Sequence, residues 1–124
     1  MSLRAPLGRV LGYGSANEGA RHWWIQRMTS LALIPLAIWF VVSLIALPAS
    51  RYAVLADWMT RGWNALLLLL LGLVAARHSQ LGVQVVIEDY VHAAGAKTLA
   101  LILNLFAHIL IAAAIAFAVL KIAL

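Results

Sequence analysis

The chain has 124 residues, of which 65% are hydrophobic, 10% are charged and none is cysteine, and its mean hydropathy is +0.99. Soluble domains carry roughly a quarter charged residues, and a chain this small has too little interior to hide so much apolar surface, so this composition expects lipid as its solvent. The net charge of +5 comes without a basic stripe interleaved with stacking aromatics, which argues against nucleic acid as a partner, and the lack of cysteine excludes disulfides and thiolate-held metal within the chain.

Residues 1–28 are mixed and polar, with Arg4, Arg9, Arg21 and Arg27 among glycines and prolines, and read as a non-spanning tail. The first apolar run, 29–47, carries no charge and has the length of about 20 residues that a membrane crossing needs. Pro35 inside it is expected to kink rather than end the helix. A secretory signal peptide is the rival reading, prompted by Pro48, Ala49 and Ser50, but the tail ahead is too long and the run exceeds the usual apolar region of about 7–15 residues. A short loop with Arg51, Asp57 and Arg61 leads to a second run, 63–87, interrupted by Arg77 and His78 and closed by Glu88 and Asp89. A loop through Gly95 and Lys97 leads to the third run, 98–124, apolar except for Asn104, His108 and Lys121. Alternation at period two is absent, so strands are a poor alternative. The expectation is an all-α membrane protein: a polar N-terminal cytoplasmic tail, 1–28, and a three-helix membrane anchor, 29–124.

Basic residues near helix ends set orientation. The tail and Lys97 place five on one side, against three at Arg51, Arg61 and Lys121 on the other. The N-terminus is therefore expected in the cytoplasm and the C-terminus in the periplasm. Trp23, Trp24, Trp58 and Trp63 sit near expected helix ends, where interfacial anchors belong.

An ionisable group inside a membrane helix is costly unless it pairs, lines a cavity or binds something. His78 lies about nine residues, roughly 14 Å, from the end of its run, where an imidazole suits either a haem iron or a hydrogen bond between helices. His108 reaches a similar depth on the third run, so one chain could clamp a haem between the two; Asn104 and His108, four apart, also suit polar contact with a neighbouring helix, which is the favoured reading. Asp89 stands eleven positions beyond His78, three turns plus about 20°, so both face the same way. Tyr90 adds a phenol able to donate a hydrogen bond to a carbonyl, and an acid beside it can relay protons; a polar helix end with an interfacial tyrosine is the plainer alternative.

The segment His78 to His92, H-S-Q-L-G-V-Q-V-V-I-E-D-Y-V-H, resembles the signature of the D-type membrane anchor subunits of succinate dehydrogenase, respiratory complex II, in which a haem-ligating histidine is followed eleven positions on by aspartate and tyrosine. Gln26, Arg27, Met28 and Thr29 form a shorter match, where that family has an arginine near the haem propionates and the quinone pocket. The resemblance implies that His78 is one axial ligand of haem b, with the second histidine from a C-type cytochrome b anchor subunit. It implies that Tyr90 hydrogen-bonds a ubiquinone carbonyl, that Asp89 supports it or the proton path, and that Arg27 pairs with a propionate. FAD and iron–sulfur clusters would reside in partner flavoprotein and iron–sulfur subunits. Arg77 has no role in the motif and either snorkels or pairs with a propionate. The implied function is the hydrophobic anchor of a succinate:ubiquinone oxidoreductase. The rivals are a fumarate reductase anchor, a non-redox structural membrane protein and a self-contained cytochrome using His78 and His108. The lack of an Arg- and Ser-rich presequence favours a bacterial inner membrane.

Overall fold

The computed structural model describes residues 15–49 and 51–124; the first part of the expected tail, with Arg4 and Arg9, lies outside the described residues. Four helices follow in order: α1 (Ser15–Ala46), α2 (Tyr52–Thr60), α3 (Gly62–Tyr90) and α4 (Ala94–Ala123). No strand occurs among the described residues. Three segments are long and apolar enough to cross a membrane: Gly19–Ala46 with 28 residues, Gly62–Tyr90 with 29 and Ala94–Ala123 with 30. At 1.5 Å per residue each exceeds the hydrocarbon thickness of about 30 Å, so the helices carry turns beyond it or tilt within it.

The helices are longer than the apolar runs that announce them. α1 starts at Ser15, ahead of the expected 29, because residues 15–28 contain good helix formers such as Ala16, Glu18, Ala20, Gln26 and Met28 and no proline. The polar stretch read as tail is, from Ser15 on, helical and continuous with the first long helix. Pro35 lies within the unbroken helix, where its ring deprives the Leu31 carbonyl of a donor without ending the helix.

The second departure is α2, in the segment read as a loop. Trp58 is only 9% exposed and stacks on Trp39 of α1, with ring centroids 5.6 Å apart and planes 24° from parallel. Its carbonyl accepts a hydrogen bond from Asn64 Nδ2 at 2.8 Å. Trp58 is therefore a packing residue that closes this end of the molecule, not the interfacial anchor expected of it. Trp23, Trp24 and Trp63 are exposed, as anchors require. The Arg61–Asp57 ion pair, 3.4 Å on an open surface, adds little.

α3 is the central helix: α1 and α4 each pack on it, α2 lies at the far end against α3 and α4, and α1 and α4 do not approach each other. α4 comes close to α3 at Gly72, where a Cβ would run into Ile115 Cγ2. This is the small-residue approach that lets membrane helices gain van der Waals contact. α1 has the least cover: no residue of its apolar window is buried by the rest of the chain.

Replacing Gly72 by Leu should force α3 and α4 apart at a cost of about 1–3 kcal/mol, seen as a lower thermal unfolding midpoint in mild detergent. Gly62→Leu, where an added Cβ meets nothing within 4 Å, should leave the midpoint unchanged.

Candidate functional site

The α1–α3 contact is built around one side-chain pair. His78 is partly buried, and its Nδ1 lies 2.9 Å from Thr29 Oγ1. The same hydroxyl lies 2.9 Å from the Ile25 carbonyl and 3.0 Å from that of Gln26. No hydrogen bond engages His78 Nε2 among the described residues. The interhelical bond weighed for this histidine is therefore present, and it uses one ring nitrogen. Gly82, one turn nearer Tyr90, lets Gln26 approach, with Nε2 3.9 Å from where a Cβ would stand.

A different face of α3 belongs to α4. Asn104, 7% exposed, donates from Nδ2 to the Gln80 carbonyl at 3.0 Å. His108 Nδ1 lies 2.9 Å from the Asn104 carbonyl, which can only accept, so Nδ1 carries the proton; Nε2 then accepts from the Ser79 hydroxyl at 3.1 Å. Both ring nitrogens of His108 are thus occupied in holding α4 to α3, as the reading of Asn104 and His108 as interhelical contacts expects. His78 faces α1 and His108 serves the α4 side, so the two do not converge on one site within this chain. A cleft of about 140 Å³ beside His108 is lined by Leu73, Arg77, Gln80 and Ile109 among others.

A third strip of α3 carries a ladder. Arg77 Nη1 donates to Gln80 Oε1, Gln80 Nε2 donates to Gln84 Oε1 at 3.4 Å, and Gln84 Nε2 donates to Glu88 Oε1 at 2.8 Å. The ladder gives Arg77 a polar outlet along its own helix in the direction that snorkelling requires. Lys97 Nζ donates to the Glu88 carbonyl at 3.0 Å and ties the α3–α4 turn to the same end.

Glu88, Asp89 and Tyr90 are exposed at the last turn of α3, Tyr90 at 79%. His78 and Asp89 share a face of the unbroken helix, about 16 Å apart along its axis. Arg27 is not brought to His78 by this chain: it lies about 200° around α1 from Thr29, exposed, with its guanidinium 5.1 Å from the centre of the Trp23 ring.

The sequence reading left out His22 and named Gln26 and Thr29 only as part of a short match, without a role for either. Their spacing of four and three puts them on one face of α1, within about 60° of one another. His22 Nε2 and Gln26 Oε1 are buried without a hydrogen-bond partner. That i, i+4, i+7 stripe was the available signal, hidden because the segment was not expected to be helical.

A haem iron takes an imidazole nitrogen that carries no proton. Among the described residues no group of three or more His, Cys, Asp or Glu side chains is placed to hold a metal ion. Of His78 and His108, only His78 keeps a ring nitrogen without a partner, and the orphaned His22 Nε2 and Gln26 Oε1 lie above it toward the Tyr90 end of α3. These residues fit a prosthetic group that takes one imidazole nitrogen from this chain.

Comparison with known proteins gives a consistent result. A family described as succinate dehydrogenase/fumarate reductase transmembrane subunit matches residues 1–120. A succinate dehydrogenase hydrophobic membrane anchor subunit of Rickettsia bellii is 33% identical over 89 residues, covering 72% of this chain and 71% of the relative. The protein of the same name from Rickettsia conorii is 28% identical over 113 residues, covering 90% of each chain. A succinate dehydrogenase membrane anchor subunit of Reclinomonas americana is 26% identical over 93 residues, 73% of this chain and 76% of the relative. No solved structure matches. With nearly its whole length matched and its three apolar helices in place, the chain belongs to the succinate dehydrogenase/fumarate reductase transmembrane subunit family.

Proposed function

We propose that this chain is the hydrophobic anchor of a succinate:ubiquinone oxidoreductase in a bacterial inner membrane, with its N-terminus cytoplasmic and its C-terminus periplasmic. The observation that carries the proposal is the His78 ring, held through Nδ1 and without a partner at Nε2, on the same face of α3 as Asp89. The names of the relatives support succinate oxidation over fumarate reduction.

In this reading His78 Nε2 binds the iron of haem b, and the C-type anchor subunit supplies the second histidine. When bound, the haem offers a one-electron redox centre between the soluble subunits and the membrane site. The flavoprotein and iron–sulfur subunits dock over the Tyr90 end of α3, and the C-type subunit covers apolar surface that this chain leaves open along α1. Arg27 is exposed beside Trp23, and in this reading its guanidinium pairs with a haem propionate.

Tyr90 and Asp89 act at the aqueous rim. Ubiquinone becomes ubiquinol by taking up two electrons and two protons, so its carbonyl oxygens need hydrogen-bond donors and access to water-borne protons. The Tyr90 hydroxyl donates to one quinone carbonyl, and the Asp89 carboxyl passes protons from the cytoplasmic water to the same edge. Their exposure at the end of a rigid helix, with no hydrogen bond committing either side chain elsewhere among the described residues, supports these roles.

The first test is the reduced-minus-oxidised absorption spectrum of the complex copurified through this chain. A b-type signal is expected, lost or displaced in His78→Ala; an unchanged spectrum in that variant would refute ligation by His78. Tyr90→Phe should lower succinate:ubiquinone reduction about tenfold, the worth of a hydrogen bond of ~1.4 kcal/mol. Electron transfer from succinate to a soluble dye should stay intact in the same preparation. Equal loss of both activities would assign Tyr90 to docking instead.

A further inference from the structure

The contact between Thr29 and His78 has a direction, and that direction decides which ring nitrogen is free. A threonine hydroxyl has one proton. Thr29 Oγ1 stands 2.9 Å from the Ile25 carbonyl oxygen, 3.0 Å from the Gln26 carbonyl oxygen and 2.9 Å from His78 Nδ1. Both carbonyls can only accept. If the proton pointed at Nδ1, the hydroxyl oxygen would turn lone pairs on two carbonyl oxygens at hydrogen-bond distance with nothing between them. If it points back along α1, as threonine hydroxyls in helices commonly do, one proton serves the carbonyls and a lone pair faces the ring.

In the second arrangement Nδ1 must carry the imidazole proton and donate it to Thr29. The neutral ring then has its unprotonated nitrogen at Nε2. We propose that Thr29 is a positioning residue: its hydroxyl, oriented by the Ile25 and Gln26 carbonyls, locks His78 in the Nδ1–H tautomer and presents the Nε2 lone pair to the haem iron. This rests on haem ligation by His78 and adds to it the group that makes the histidine a ligand. Accepting the Nδ1 proton also enriches the ring in electron density, which strengthens its bond to iron and favours the oxidised state.

The placement shows why the acceptor comes from α1. α4 commits His108 and Asn104 to its own contact with α3, and that contact also takes up the Ser79 hydroxyl of α3. Thr29 lies on the facing helix and is stiff at χ1. It costs the site no charge, whereas a carboxylate there would bring a buried anion that needs its own partner.

The experiment compares the intact complex carrying Thr29→Val, Thr29→Ser or His78→Ala with the unsubstituted complex. Two quantities are read, the haem midpoint potential and the rate at which haem is lost to an excess of an apoprotein scavenger. Valine keeps the branched shape and removes the acceptor, so the potential should move positive and haem should be held about 10–100-fold less tightly, the usual effect of deleting such a support. Serine restores the hydroxyl and should return both readings to those of the unsubstituted complex. If His78→Ala abolishes the haem signal while Thr29→Val keeps the original potential and retention, the role of Thr29 is overturned and ligation stands. If His78→Ala leaves the haem signal unchanged, ligation falls and the role of Thr29 falls with it. Should the valine complex fail to assemble, Thr29→Ala is read beside Thr29→Ser: displacement in alanine with unchanged readings in serine upholds the proposal, and displacement in serine or unchanged readings in alanine overturns it.

Discussion

Hydrocarbon gives a polar side chain nothing to bond with, so each polar group that α3 carries into the layer must find its partner on a neighbouring helix or along α3 itself. The helix meets this constraint in three directions. Toward α1 it offers His78 to Thr29; toward α4 it offers Ser79 and the Gln80 carbonyl to His108 and Asn104; along a third strip Arg77 is bonded through two glutamines to Glu88. α3 thus contacts two helices that do not meet, each held by polar groups on a different face of it. Apolar packing at Gly72 and Ile115 then sets how closely α4 can follow it.

These polar contacts divide the labour between two histidines of similar depth. His108 has both nitrogens engaged within the chain, which makes it a fastener. His78 has one nitrogen engaged and one without a partner, and it turns to the side where α1 leaves His22 Nε2 and Gln26 Oε1 unanswered. A histidine in a membrane helix is thus sorted by how many of its nitrogens the surrounding helices consume. The family to which this chain belongs works through several subunits, and a half-finished polar face on a chain with so little buried surface fits that dependence.

Much of the fold was legible in the sequence because long charge-free runs leave a chain few choices. The runs 29–47, 63–87 and 98–124 announced the three long helices, and the eleven-residue step from His78 to Asp89 gave their shared face. The start of α1 was not legible, since Arg21, His22, Gln26 and Arg27 mark a segment as polar without saying that it is helical. α2 escaped for a related reason: nine residues are too few to show a period, and Trp58 looked like a surface anchor until Trp39 was seen stacked against it. The partner of His78 was out of reach as well. Thr29 is 49 positions away, and nothing local to either residue records which face of α1 turns toward α3.

The ladder on α3 carries a consequence of its own. Arg77, Gln80, Gln84 and Glu88 are joined head to tail, each giving its N–H to the next, so the two amides stand as aligned dipoles between a fixed cation and a carboxylate. Turning either amide over would break two hydrogen bonds together, and an amide cannot hand on a proton while keeping both of its own. The file therefore holds one polarity along α3, and Arg77, Gln80, Gln84 and Glu88 keep or lose their orientation together.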